Sequence, residues 1–293
     1  MVNYIIPSDT GKVKCILNFG TKAYSGITTE YFYAEDVIML YALINANVVT
    51  GTPDGEVSAG MTIIVENGRI AEVAKSGETA IPENCTVIDI RNQFVMPGLI
   101  NAHVHLFGSG KPMKAIGGGK SQERLVGFLR TRLGLRMLDS MVENHARTAL
   151  YSGVTTIRAV GDLYYSDVRL RDKIDSGKCQ GPRLLVSGPA ITVTGGHGAG
   201  SFALISDSPW DSRKFVRKNV HEQVDLIKIC VTGGVTDSRK IGNAGSLKMT
   251  LEEVSAVCEE AHKIGYLVAA HAEGTEGVRI ALQGGVDTIE HGS

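Results

Sequence analysis

The chain has 293 residues, 43% of them hydrophobic, enough for a large buried core and for more than one small domain. Thirty basic residues balance 31 acidic ones, so nothing in the charge points to nucleic acid or a membrane surface as partner. The five cysteines (Cys15, Cys85, Cys179, Cys230, Cys258) are scattered and never spaced as CxxC, which suits free thiols in a reducing compartment. No apolar run approaches the roughly 18 residues of a membrane span, and the first residues lack a signal-peptide core; a cytoplasmic protein is expected.

Residues 1–40 carry turn signals at Gly11, Gly20 and Gly26 around an aromatic run at Tyr31-Phe32-Tyr33, and we assign them no fold. Residues 41–96 read as a small β domain, with strands at 43–49, 61–65, 69–73 and 86–90. Asn67-Gly68 between two alternating strands is a strong hairpin signal, because both residues tolerate φ > 0. From 97 to 293 strands alternate with amphipathic helices, the pattern of βα units and a parallel sheet. Strands are expected near 98–105, 154–160, 183–188, 225–231, 266–271 and 286–290. Helices are expected within 121–151 and at 166–176, 211–223, 250–264 and 274–283. Thr250 with Glu253 three residues on is a capping box that fixes one helix start.

Residues 149–157 (ALYSGVTTI) and 281–289 (ALQGGVDTI) repeat one junction, a helix end, a glycine stop and a buried strand. Two copies of that junction favour a barrel of repeated units over a doubly wound sheet, and no GxGxxG follows the first strand.

His103 and His105, two apart on one strand, project from a single face and can converge on a metal ion at the strand's end. The plainer reading of such a pair is two hydrogen-bonded histidines on a barrel rim. Lys228 shares a strand face with Leu226 and Cys230, while Ile227, Ile229 and Val231 share the other, so a lysine sits inside a buried parallel strand. Burial disfavours its ammonium and leaves a reactive amine, unless a carboxylate pairs with it. His271 and His291 end the next two strands. Each alone suits a packed core histidine, but five such residues at strand ends on one rim are hard to explain by packing. His145, His221 and His262 fall on expected helices and read as ordinary surface or rim residues.

Here the chain resembles the amidohydrolase superfamily, and within it the imidazolonepropionase-like branch with its Xaa-Pro dipeptidases and metallo-carboxypeptidases. The resemblance runs from about residue 43 to 293. It is carried by MPGLINAHVH at 96–105, GVTTIR at 153–158, TGGHG at 194–198, Lys228 with TGGV at 232–235, HAEG at 271–274 and DTIEHG at 287–292. It implies an α/β fold, a (β/α)₈ TIM barrel with a small β-sandwich domain. It also implies two divalent ions, zinc or similar, the first on His103 and His105 and the second on His271 and His291. A carbamate on Lys228 would bridge them. His197, in the loop after strand three, would touch the substrate or its developing oxyanion; the alternative is a histidine that caps a glycine-rich turn. The implied activity is hydrolysis of a C–N bond in a small amide, a dipeptide or N-acyl amino acid, by metal-activated hydroxide.

The family also places an aspartate at the end of strand eight. Only six strands are readable before Ser293, so the expected barrel is truncated after strand six and the aspartate's role passes to no residue. Exposed parallel edges then predict a homo-oligomer, and the second ion, with the bridging lysine, is expected to be held better than the first. The alternative is a non-catalytic relative that kept the ligands and lost turnover.

Overall fold

This computed structural model describes residues 40–108, 126–235, 238 and 244–293, with backbone alone at 3–7 and 13–18. Gly11, Gly20, Gly26, Tyr31-Phe32-Tyr33 and the helix start expected at 121–125 lie outside the described residues. Within the segment left unassigned, β1 (Asn3–Pro7) and β2 (Val13–Asn18) pair antiparallel. The chain divides into two units. One holds residues 1–100 with 149–155 and 175–180, the other 101–148, 156–174 and 181–293.

In the first unit, Asn67 and Gly68 take φ of 49° and 77° and turn β4 (Val57–Glu66) into β5 (Arg69–Lys75). β4 also runs antiparallel to β3 (Leu40–Val49), which pairs in parallel with β6 (Thr86–Asp89) and β7 (Phe94–Val95). The sheet order is β5-β4-β3-β6, with β7 also on β3. Leu43, Ala46, Ile63, Val65, Ile90 and Val95 form its core, all but removed from water. β4 begins four residues before the expected strand.

The second part of the chain is α/β. Its elements are β8 (Leu99–Val104), α1 (Arg132–Tyr151), β9 (Val154–Ala159), α2 (Ser166–Asp175), β10 (Arg183–Leu185), β11 (Ala190–Thr192), β12 (Ala203–Ile205) and α3 (Pro209–His221). Then come β13 (Ile227–Cys230), α4 (Leu251–His262), β14 (Val268–Ala272), α5 (Thr275–Gly284) and β15 (Thr288–His291). All four residues of β13 are buried, as a strand covered on both faces requires. The capping box forms, with Thr250 N donating to Glu253 Oε2 at 2.8 Å and Glu253 N donating to Thr250 Oγ1 at 3.3 Å. Both copies of the repeated junction turn through a left-handed glycine, Gly153 at φ 105° and Gly285 at φ 92°.

The strands form two sheets, β10-β9-β8 and β12-β11-β13-β14-β15, with no closed ring among the described residues. The expected strand at 183–188 ends at Leu185, and β11 and β12 occupy a stretch where no strand was expected. Two features separate β10 from β11 along the chain. Pro189 has no N–H to give, and the Val186 N–H goes instead to the Asp225 carboxylate at 2.8 Å.

Candidate metal centre

Parallel register carries the site residues to one end of the sheets. Lys228 pairs with Ala269, Cys230 with His271 and Ala272 with His291, so the three strands carry Lys228, His271 and His291 toward the same end. His103 lies in β8 and His105 just past its end. Five imidazoles follow one another in a row. Ring centroids are 5.2 Å apart for His105 and His103, 4.9 Å for His103 and His291, 4.8 Å for His291 and His271, and 4.4 Å for His271 and His197. The His197 ring lies so close to Gly234 that a Cβ there would sit 2.3 Å from its Nδ1, which explains the glycine. All six residues picked from the sequence are therefore brought together. The three histidines read as ordinary stay out of the row: His145 meets the Leu106 carbonyl and His262 meets Asp287, each at 2.8 Å, while His221 is exposed on α3.

Lys228 is 1% exposed, and its Nζ has no hydrogen-bond partner among the described residues. Burial pushes its pKa down to about 8, against smaller opposing pulls from Cys230 and Glu290. Its charge in turn lowers the pKa of His105, His271 and His291. Burial is the larger cause, taking His105 to about 4 and His271 to about 3, so both are neutral at pH 7. Neutral imidazole is the form a metal binds.

Three of the rings have one nitrogen tied back to the protein. His103 Nδ1 lies 2.7 Å from Glu290 Oε2, His105 Nδ1 2.7 Å from the Gly161 carbonyl, and His271 Nε2 3.0 Å from the Gly233 carbonyl. Each bond fixes the ring and leaves the opposite nitrogen for a ligand, the arrangement of metal-binding histidines. A carbonyl can only accept, so His105 and His271 donate from those nitrogens.

Other residues here were not singled out from the sequence. Glu273 brings a carboxylate oxygen within 4.8 Å of ring nitrogens of His271 and His291, a third donor at that pair. Glu290 accepts from Arg158 Nη2 at 2.6 Å as well as meeting His103. Despite burial, the His103 contact and the Lys228 and Arg158 charges bring its carboxyl down to about 2. Asp162 takes the N–H groups of Leu106 and Phe107 at 3.1 and 3.0 Å, anchoring the segment after His105. Its signal, like that of Arg158 and Glu290, is a charged residue within or just after an apolar strand. Phe107 and Phe202 stack at 5.6 Å beside His105 and give the site an apolar wall.

Residues 94–293 match the Amidohydrolase family. Ochratoxinase from Aspergillus niger is 26% identical over 265 residues, covering 81% of this chain and 52% of that protein. A crystal structure from Bifidobacterium longum, of a protein provisionally named a prolidase, is similar at 43% identity and TM-score 0.69, covering 87% of this chain and 55% of that one. A Xaa-Pro dipeptidase crystallised with methionine in its active site shares 29% identity and TM-score 0.69, over 86% of this chain and 61% of its own. The chain spans about half the length of the curated relatives it matches.

Proposed function

The chain belongs to the amidohydrolase family, and from that premise we propose that it carries the metal centre of a (β/α)₈-barrel hydrolase. Its substrates would be small molecules with a C–N bond, dipeptides or N-acyl amino acids. The observation that carries this reading is the unpartnered Lys228 Nζ buried beside a row of imidazoles. Such an amine is costly to keep as an ammonium. It becomes useful if its nitrogen bonds to the carbon of carbon dioxide and loses a proton, giving a carbamate.

The donor set fits divalent metal. His103 and His105 would hold one ion, His271 and His291 the other, with the Lys228 carbamate shared and Glu273 as an added carboxylate at the second pair. Imidazole and carboxylate donors suit zinc, manganese or iron. When bound, such ions polarise a carbonyl and generate hydroxide at neutral pH.

The chain's own residues then have separate tasks. His197, stacked on His271, would donate to the oxygen of the substrate carbonyl as charge develops there. Phe107 and Phe202 exclude water beside His105. The backbone carbonyls of Gly161 and Gly233 hold their histidines in one tautomer throughout. The resemblance to a Xaa-Pro dipeptidase and to ochratoxinase supports amide hydrolysis as the reaction class.

The test is an assay of the chain, loaded with zinc or manganese in bicarbonate buffer, against Xaa-Pro dipeptides and N-acyl amino acids. We expect free amino acid release that chelation stops and His271→Ala abolishes. Metal-loaded protein that releases none, or release that survives chelation, would count against the proposal.

A further inference from the structure

β8 and β15 belong to different sheets, and no backbone ladder joins them among the described residues. Side chains join them instead. Arg158, on β9, donates from Nε to the Ala102 carbonyl of β8 at 2.7 Å. Its Nη1 reaches Thr288 Oγ1 at 3.1 Å and its Nη2 reaches Glu290 Oε1 at 2.6 Å, both on β15. Thr288 Oγ1 donates to the same Glu290 oxygen at 3.2 Å. The other oxygen of Glu290 meets His103 Nδ1, back on β8. Three strands are thus tied by one planar guanidinium and one carboxylate, with Glu290 only 6% exposed. A guanidinium suits this task because its fork fixes direction as well as charge.

We propose that Glu290 and Arg158 are positioning residues for His103. Glu290 accepts the His103 Nδ1–H and leaves Nε2 with the free lone pair, and Arg158 holds the Glu290 carboxylate in place for that contact. This rests on the metal-centre reading for its purpose, though not for its geometry. A carboxylate on the far nitrogen of a ligand histidine fixes the ring and raises its basicity. His105 hydrogen-bonds a backbone carbonyl in that place, and so does His271, with the Glu273 carboxylate farther off at 3.8 Å. The hydrogen bond that holds His103 thus comes from a side chain that mutation can remove.

Two measurements on the 293-residue chain test the pair. In metal-free protein labelled with ¹⁵N-histidine, NMR should show a His103 proton on Nδ1, protected from exchange, and Glu290→Ala should abolish that protection. In a zinc titration, Glu290→Ala should weaken binding by about 10–100-fold, Glu290→Asp should restore part of the loss, and Arg158→Met should give a smaller loss. If Glu290→Ala does not fold, Glu290→Gln, of the same size and without the charge, takes its place in both measurements with the same expected direction. A wild-type His103 protonated on Nε2 alone would overturn the proposal, as would zinc affinity within about twofold of wild type in the Glu290 variant. Should wild type bind no zinc, the metal reading fails, while the NMR result still decides the role of Glu290.

Discussion

The core of the β sheet and the interior around β13 to β15 are equally shielded from water, yet they are built from opposite materials. Around β3 and β4 the buried cluster is Leu43, Ala46, Ile63, Val65, Ile90 and Val95, aliphatic throughout. In the α/β part, comparable burial is given to Lys228, His271 and Glu290. Aliphatic burial contributes about 25 cal/mol per Å² to stability, whereas desolvating one charge costs several kcal/mol. Only the first arrangement explains itself by folding. The second makes sense if those groups act on something the folded chain will bind.

The contrast can be broken at either pole. Leu43→Ala, at a site with no exposure, should lower stability by about 2–5 kcal/mol in urea unfolding and leave metal content per folded chain unchanged. A loss below about 1 kcal/mol would mean that this cluster does not support the unit. Lys228→Met should do the reverse. In the metal-free protein it removes an unpartnered buried charge and should raise stability by about 1–4 kcal/mol, while metal binding is lost. The pH dependence has a definite sign. The folded pKa of about 8 lies below the ordinary 10.5, so between these values the unfolded chain binds more protons. Wild-type apoprotein should therefore gain stability as pH rises from about 8 to 10.5, a gain absent from Lys228→Met. A variant less stable than wild type at pH 7 in chelator would show that Lys228 has a stabilising partner.

Much of this contrast is legible in the sequence. The hairpin at Asn67-Gly68, the capping box at Thr250 and the repeated glycine junction all form, because each is set by local backbone chemistry. Lys228, His271 and His291 share one region because strands in register bring equivalent ends together, and His103 and His105 meet them through ring contacts. Strands β11 and β12 escape notice because three residues leave no periodicity to read. Glu290 is overlooked for another reason. Beside His291 it resembles a solvent-facing neighbour on an alternating strand, and only its contacts with Arg158 and His103 give it a task. Arg158 and Lys228 carry the same signal in the sequence, a charge inside an apolar strand.

The central claim is that the buried polar groups form a metal centre, and equilibrium dialysis of chelator-stripped chain against zinc in bicarbonate buffer tests it most directly. Wild type should retain at least one ion per chain. His103→Ala should lose part of that metal, His271→Ala should lose more because its pair has Glu273 and Lys228 beside it, and Lys228→Met should hold none tightly. A wild-type chain that retains no zinc, or three variants that retain as much as wild type, would contradict the account.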